Sequence, residues 1–256
     1  MSKKVNVEKL RDLIVHSFQT IITVTLIGTV MATLFTISPP PGFPSGSLSE
    51  KISEAFGASS TPTPEWPTPT ARPRPRIGIV VGHWGDDNDP GAVCPDGLTE
   101  VKINQDVATL TKQALSNEGF DVELLKEFDP KLVGFQALLL ISIHADSCDY
   151  INAQATGFKV AASMDTRRPD KTTRLTACLR NRYEKTTQLT VHNSITPDMS
   201  SYHAFNEIDD DTPAVIIETG FMNLDRQLLT QQPDLVAKGI VDGILCFIYN
   251  EDLTSR

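Results

Sequence analysis

The stretch ALLLISIHAD, residues 137–146, decides the fold. Its first seven residues, Ala137–Ile143, read as a strand apolar on both faces, a pattern that belongs in the middle of a sheet covered on both sides. Working outward, Ile77–Val81 and Ala214–Ile217 read as further buried strands, and Asp121–Lys126 and Thr156–Ser163 as two more. Helical spacing of apolar residues runs over Leu98–Glu118, through Val101, Val107, Leu110 and Ala114. Two other helices are expected at Lys171–Thr190 and at Asp225–Asn250, the latter interrupted near Pro233. Strands alternating with helices predict an α/β domain with a largely parallel sheet.

The ends of those strands carry the candidate chemistry. Four passages stand out: VVGHWG with His83, GLTE with Glu100, ISIHAD with His144 and VIIETGF with Glu218. In open α/β sheets ligands bind outside the carboxyl ends of the strands. His83, His144 and Glu218 each follow an apolar run by zero to three residues, so the sheet would present them along one edge. Glu100 would stand in the first turn of the following helix, near the same rim. Two imidazoles and a carboxylate form a typical three-ligand set for catalytic zinc. A second carboxylate held off the metal can move protons between water and a leaving nitrogen, which gives Glu218 a task.

Taken singly, each of these residues has a plainer explanation. A histidine at a strand end is commonly a polar rim residue, Glu100 suits the positive end of a helix, and Glu218 could pair with a base. No HExxH is present. The weight rests on their coincidence at one predicted edge. His203, in SSYHAFN, could reach the site from a loop and steady an oxyanion, though a surface or capping role is the simpler reading. His16 lies within an apolar segment and His192 near a helix end. Asp86, Asp87 and Asp89 lack the further spacing of a calcium loop and read as a solvated loop.

The 256 residues carry a net charge of −9, unevenly spread. Residues 1–76 hold eight basic and five acidic side chains, and residues 77–256 hold fifteen and twenty-seven. Such an acidic domain excludes a nucleic-acid partner, because that affinity rests on Lys and Arg neutralising phosphates. The four cysteines form no CxxC. Cys178 and Cys246 fall in helical patterns and read as buried free thiols, whereas Cys94 and Cys148 fall in loops.

From Leu13 to Ile37 there is no Asp, Glu, Lys or Arg. At 1.5 Å per residue, about twenty residues cross a hydrocarbon core of roughly 30 Å. Lys3, Lys4, Lys9 and Arg11 precede the span, so residues 1–12 are expected in the cytoplasm and all that follows outside. An uncleaved anchor at 13–37 is preferred to a cleaved signal peptide ending near Val30-Met31-Ala32, which would instead release the protein. Residues 38–75, with SPPPGFPSG and TPTPEWPTPTARPRP, form a Pro/Ser/Thr-rich linker, with a short helix at Leu48–Phe56. Residues 76–256 form the catalytic domain, attached through its N-terminal helix to the cell membrane.

At these passages the sequence resembles the zinc-dependent N-acetylmuramoyl-L-alanine amidases, bacterial peptidoglycan amidases of cell separation and sporulation. The likeness rests on IVVGHWG…DPGA, the G-L-T-E turn, LLISIHAD, the A-T-G strand start and PAVIIETGF, and covers about residues 76–250. It implies a three-layer α/β/α fold around a mixed sheet and one zinc ion bound by His83, Glu100 and His144. It also implies Glu218 as the catalytic glutamate and hydrolysis of the amide between N-acetylmuramic acid and L-alanine. Trp84 stands where the family usually has glycine, and MNLD replaces its Ser/Thr-Asn turn. Asp198–Asp211 is an acidic loop that could flank the groove. With DPGAV-Cys94 near the turn after His144, a Cys94–Cys148 disulfide is expected to brace the zinc loops. Two alternatives share the fold: a non-catalytic peptidoglycan-binding or regulatory module, and a zinc peptidase cutting within the stem peptide. No separate wall-binding repeat is visible, so targeting falls to the anchor, the groove or a protein activator.

Overall fold

A computed structural model describes residues 73–85, 88–164 and 166–254. The expected membrane span at 13–37, the linker and the Leu48–Phe56 helix lie outside these described residues. Among the described residues no helix is long and apolar enough to cross a membrane.

Five strands form one mixed sheet flanked by helices. They are β1 (Arg76–Val81), β2 (Asp121–Leu125), β3 (Leu140–Asp146), β4 (Lys159–Ala162) and β5 (Ala214–Phe221), in the order β2-β1-β3-β5-β4. The first four in that order pair in parallel, and β4 runs antiparallel on the edge beside β5. β3 therefore lies at the centre, as its apolar run requires, but three residues later than the sequence pattern places it. Leu138 is 40% exposed, and the chain enters the ladder only at Leu140. At the other end the strand continues past the apolar run because β5 extends to Phe221 and supplies partners as far as Asp146.

The longer helices are α1 (Glu100–Asn117), α2 (Pro169–Thr187) and α6 (Pro233–Ile248). Pro169 and Pro233 stand in the first turns of α2 and α6, where a missing N–H costs nothing. All three helices cover one face of the sheet. Their Val107, Leu115, Leu179, Ile240 and Ile244 pack with Ile79, Ile141, Ile143, Val215 and Ile217. Cys178 and Cys246 are joined across α2 and α6 in a disulfide, with Cα atoms 5.7 Å apart, rather than standing as free thiols. Two helical patterns conceal such a pairing, because it depends on which faces meet.

The opposite face carries a thinner cover. A 3-10 turn at Pro130–Leu132 and two single-turn helices, α3 (Pro197–Ser200) and α4 (Ala204–Glu207), bring Leu132, Met199, Tyr202 and Phe205 onto Val80, Leu125, Leu140 and Ile216. The remaining helix, α5 (Arg226–Gln231), leads into α6. It is preceded by the buried Asp225, whose carboxylate accepts hydrogen bonds from Thr156, Gly157 and Phe221. Asp225 thus ties the turn after β5 to the approach to β4.

Candidate metal centre

The parallel strands β1, β3 and β5 end along one edge, and the four residues singled out above meet there. His83 follows β1 in a tight turn in which Trp84 N–H donates to Val81 O at 3.1 Å. Its φ of 61° lies in the left-handed region, uncommon for a residue with a side chain. The ring is held from both sides: Nδ1 lies 2.8 Å from Asp89 Oδ2, and Nε2 lies 3.3 Å from Glu100 Oε2.

Glu100 opens α1 and is buried. Its Oε2 accepts the Ala92 N–H at 3.1 Å, and its Oε1 accepts the Ala145 N–H at 3.2 Å and an Asn104 amide N–H at 3.3 Å. The same Oε1 lies 3.1 Å from His144 Nδ1. His144 therefore sits within β3 itself, its ring edge-on to His83 at 5.1 Å and to Tyr202 at 5.6 Å. Glu218 is its register partner on β5, and Lys159 of β4 is the partner of Glu218 on the other side. Lys159 is buried, pairs with Asp146 and lies 4.9 Å from the centre of the Phe221 ring.

The two glutamates are displaced in opposite senses. Burial alone would raise the pKa of Glu100, but its contacts with His144 and His83 outweigh that and hold it far below the usual range. Burial dominates at Glu218 and, with the charges of Glu100 and Asp146, pushes it up to about 7 despite His144 and Lys159. The residue as a whole keeps intermediate exposure, yet its Oε2 is buried without a hydrogen-bond partner. His83 would be lowered by its burial; Glu100, Asp89 and Glu127 overcome this and raise it to about 9. His144 is also raised, Glu100 and Glu218 outweighing burial.

Several features fit the cluster to a cation. One ligand atom each from His83, Glu100 and His144 lies within 4.8 Å of the others, the one such group among the described residues. His144 Nε2 is buried without a hydrogen-bond partner. Two glycines leave room for the cluster: a Cβ on Gly82 would come within 2.4 Å of the His144 ring, and one on Gly91 within 2.6 Å of Glu100 Oε2. Carboxylates that draw protons onto both imidazoles would equally favour a divalent cation between them, and the N/O donor set suits zinc.

Two cavities flank the cluster. One of about 340 Å³ is lined by His144, Glu218, Lys159, Asp198, Met199 and Tyr202, among others. A smaller one of about 110 Å³ lies against His83, Trp84, Asp89 and Phe128. Glu127 lines both. That residue was not among the sequence candidates, although it follows strand β2 just as His83 follows β1, so the same strand-end rule reaches it. His203 stands at the start of α4, stacked on Phe128 at 4.3 Å, with Nε2 3.8 Å from Glu127 Oε1. It is a neighbour of the site as well as a helix-start residue. Asp89 serves His83 and the Gly91 N–H; Asp86 and Asp87 lie outside the described residues. Cys94 and Cys148 are joined, with Cα atoms 5.3 Å apart, linking the loop before α1 to the turn after β3.

A mixed five-stranded sheet with a largely buried His/Glu/His group at its carboxyl edge defines an α/β protein with a candidate metal-dependent hydrolytic site. The family model described as N-acetylmuramoyl-L-alanine amidase matches residues 77–246, and the chain belongs to that family. The N-acetylmuramoyl-L-alanine amidase AmiC of Neisseria meningitidis serogroup B is 33% identical over 93 residues, which span 33% of this chain and 22% of that relative. Among solved structures, an N-acetylmuramyl-L-alanine amidase from Mycobacterium smegmatis superposes with a TM-score of 0.58 at 18% identity, over 70% of this chain and 99% of that one. The CwlD amidase from Clostridioides difficile, solved in complex with the GerS lipoprotein, gives 0.54 at 20% identity, over 70% and 100%. At these identities the two structures show a shared fold.

Proposed function

We propose that the chain hydrolyses the amide joining the lactyl group of N-acetylmuramic acid to L-alanine in bacterial peptidoglycan. One zinc ion would be held by His83, Glu100 and His144, with Glu218 as the acid–base residue. The observation that carries the reading is a three-ligand group, buried at Glu100 and His144 and partly open at His83, facing a carboxylate raised to about 7 across a strand pair, in a chain of this family. Zinc bound there would polarise the scissile carbonyl and make water easier to deprotonate near neutral pH.

The chain's own residues supply the rest. With zinc bound, the Nε2 proton of His83 would be displaced, and Asp89, accepting the Nδ1 proton, would keep the Nε2 lone pair turned toward the Glu100 side. Glu100 is fixed by backbone N–H groups from the loop at Ala92 and from Ala145 in β3, so its carboxylate cannot swing away. The Thr219 hydroxyl donates to the His144 carbonyl oxygen at 2.9 Å, securing β3 against β5 where the imidazole and Glu218 face each other. Glu218, its carboxyl raised toward neutral pH by burial, can take a proton from water and return it to the leaving nitrogen of L-alanine. Cavities on both sides of the cluster suit a bond that has a sugar on one side and a peptide on the other.

The same reading places the domain outside the membrane, anchored by residues 13–37 through the linker at 38–75. The basic residues ahead of the span support it, and so do two disulfides, which persist outside the reducing cytoplasm.

Mass analysis of purified peptidoglycan digested by the zinc-loaded full chain tests the reaction. The expected products are stem peptides with a free L-alanine amino terminus and glycan free of peptide. Peptides cut within the stem, with alanine still on the sugar, would assign the chain to the peptidases. Sedimentation with peptidoglycan and no release would make it a binding module.

A further inference from the structure

We propose that Glu127 is the positioning residue of the metal centre, holding the left-handed turn that aims His83. The inference rests on the zinc reading above. A non-glycine residue at φ 61° needs its surroundings to enforce that conformation. Glu127 grips the turn at two consecutive residues: its Oε2 accepts the backbone N–H of His83, and its own backbone N–H donates to Trp84 O at 2.8 Å. The other carboxylate oxygen is tethered to a separate segment, accepting the Tyr202 hydroxyl at 3.3 Å. Asp89 orients the imidazole about its own bonds, but no other side chain holds the His83 backbone among the contacts described.

Glu127 also faces three imidazoles, and the distances decide which role is primary. Its oxygens lie 3.9 Å from His83 Nδ1, 3.9 Å from His144 Nε2 and 3.8 Å from His203 Nε2. Those separations are too long for hydrogen bonds, so the carboxylate meets these rings only through charge. Its contact with the His83 N–H is direct. The two roles therefore separate by substitution. Glu127→Gln keeps the reach and the acceptor and loses the charge; Glu127→Asp keeps the charge and loses the reach. Both retain a polar side chain between the two cavities, so neither opens the wall as Glu127→Ala would.

The test uses the full chain, stripped of metal and titrated with zinc alone, alongside hydrogen–deuterium exchange of the peptide spanning His83 in the zinc-free state. Glu127→Asp and Glu127→Ala are expected to weaken zinc binding by about 10- to 100-fold, the usual consequence of losing a group that orients a ligand, while Glu127→Gln stays within about threefold of wild type. The His83 amide should exchange faster in the Asp and Ala variants and at the wild-type rate in the Gln variant. A purely structural role would lower the unfolding midpoint in parallel with zinc affinity, and the rescue by Gln would then be absent. Glu127→Asp binding like wild type while Glu127→Gln fails overturns the proposal in favour of charge. No zinc binding by wild type overturns the metal reading itself, and this inference with it; tight binding by wild type and all three variants overturns the inference alone.

Discussion

The two faces of the sheet use the same strands for different ends. Odd-numbered positions such as Ile141, Ile143, Val215 and Ile217 point under α1, α2 and α6, where the lining is apolar and a disulfide ties two helices. Even-numbered positions point the other way: Leu140 and Ile216 into the thin cover, then His144 and Glu218 at the strand ends. Single-turn helices cannot seal that side as long ones do, and a cavity of about 340 Å³ remains over His144 and Glu218. Burying an unpartnered carboxylate oxygen is costly. The division teaches that the helical face supplies the stability against which the thin face can hold such a group.

The contrast can be broken by one substitution on each face. Glu218→Gln should lower the hydrolytic rate by roughly 10²- to 10⁴-fold, the usual worth of a positioned acid–base group, with an unfolding midpoint no lower than wild type. A rate within a few-fold of wild type would remove Glu218 from the chemistry. Leu179→Ala, in the fully buried α2–α6 contact, should cost about 2–5 kcal/mol of stability while leaving kcat unchanged at a temperature where the variant is folded. A fall in kcat without loss of stability would mean that the two faces are not separable.

The smallest effect sharpens the comparison through pH. In chelated protein, folded Glu218 holds its proton up to about pH 7, whereas an unfolded glutamate releases it near 4.5. The folded state therefore binds more protons between those values, and this contribution to stability is lost as pH rises from about 4.5 to about 7. His83, raised to about 9 from 6.5, adds a contribution present below its ordinary value and lost as pH rises through about 9. Unfolding midpoints measured against pH should lose the lower slope, and keep the upper one, in Glu218→Gln. Parallel curves for the two proteins would contradict the pKa assigned to Glu218.

The alternation of strands and helices was legible in the chain, as was the common edge that gathers His83, Glu100, His144 and Glu218, because apolar runs and the polar residues that end them are local signals. The start of β3 was not. Whether Ala137 or Leu140 opens the strand depends on where β1 offers partners, and its end at Asp146 depends on the length of β5. The place of Glu127 just past β2 is a local signal, but its role is not, because its partners, the His83 N–H and Tyr202, lie 44 and 75 positions away. The Cys178–Cys246 bridge, 68 positions apart, was hidden for the same reason, whereas the loop pair Cys94–Cys148 was within reach of the family resemblance. The thinness of the second cover follows from three short helical turns too brief to show a period.

The most direct measurement is zinc content and stem-peptide release on the same samples of full-length wild type and Glu218→Gln. The account predicts one zinc per chain in both and peptides with free L-alanine amino termini from wild type alone. Zinc missing from both proteins, or equal release by both, would contradict it.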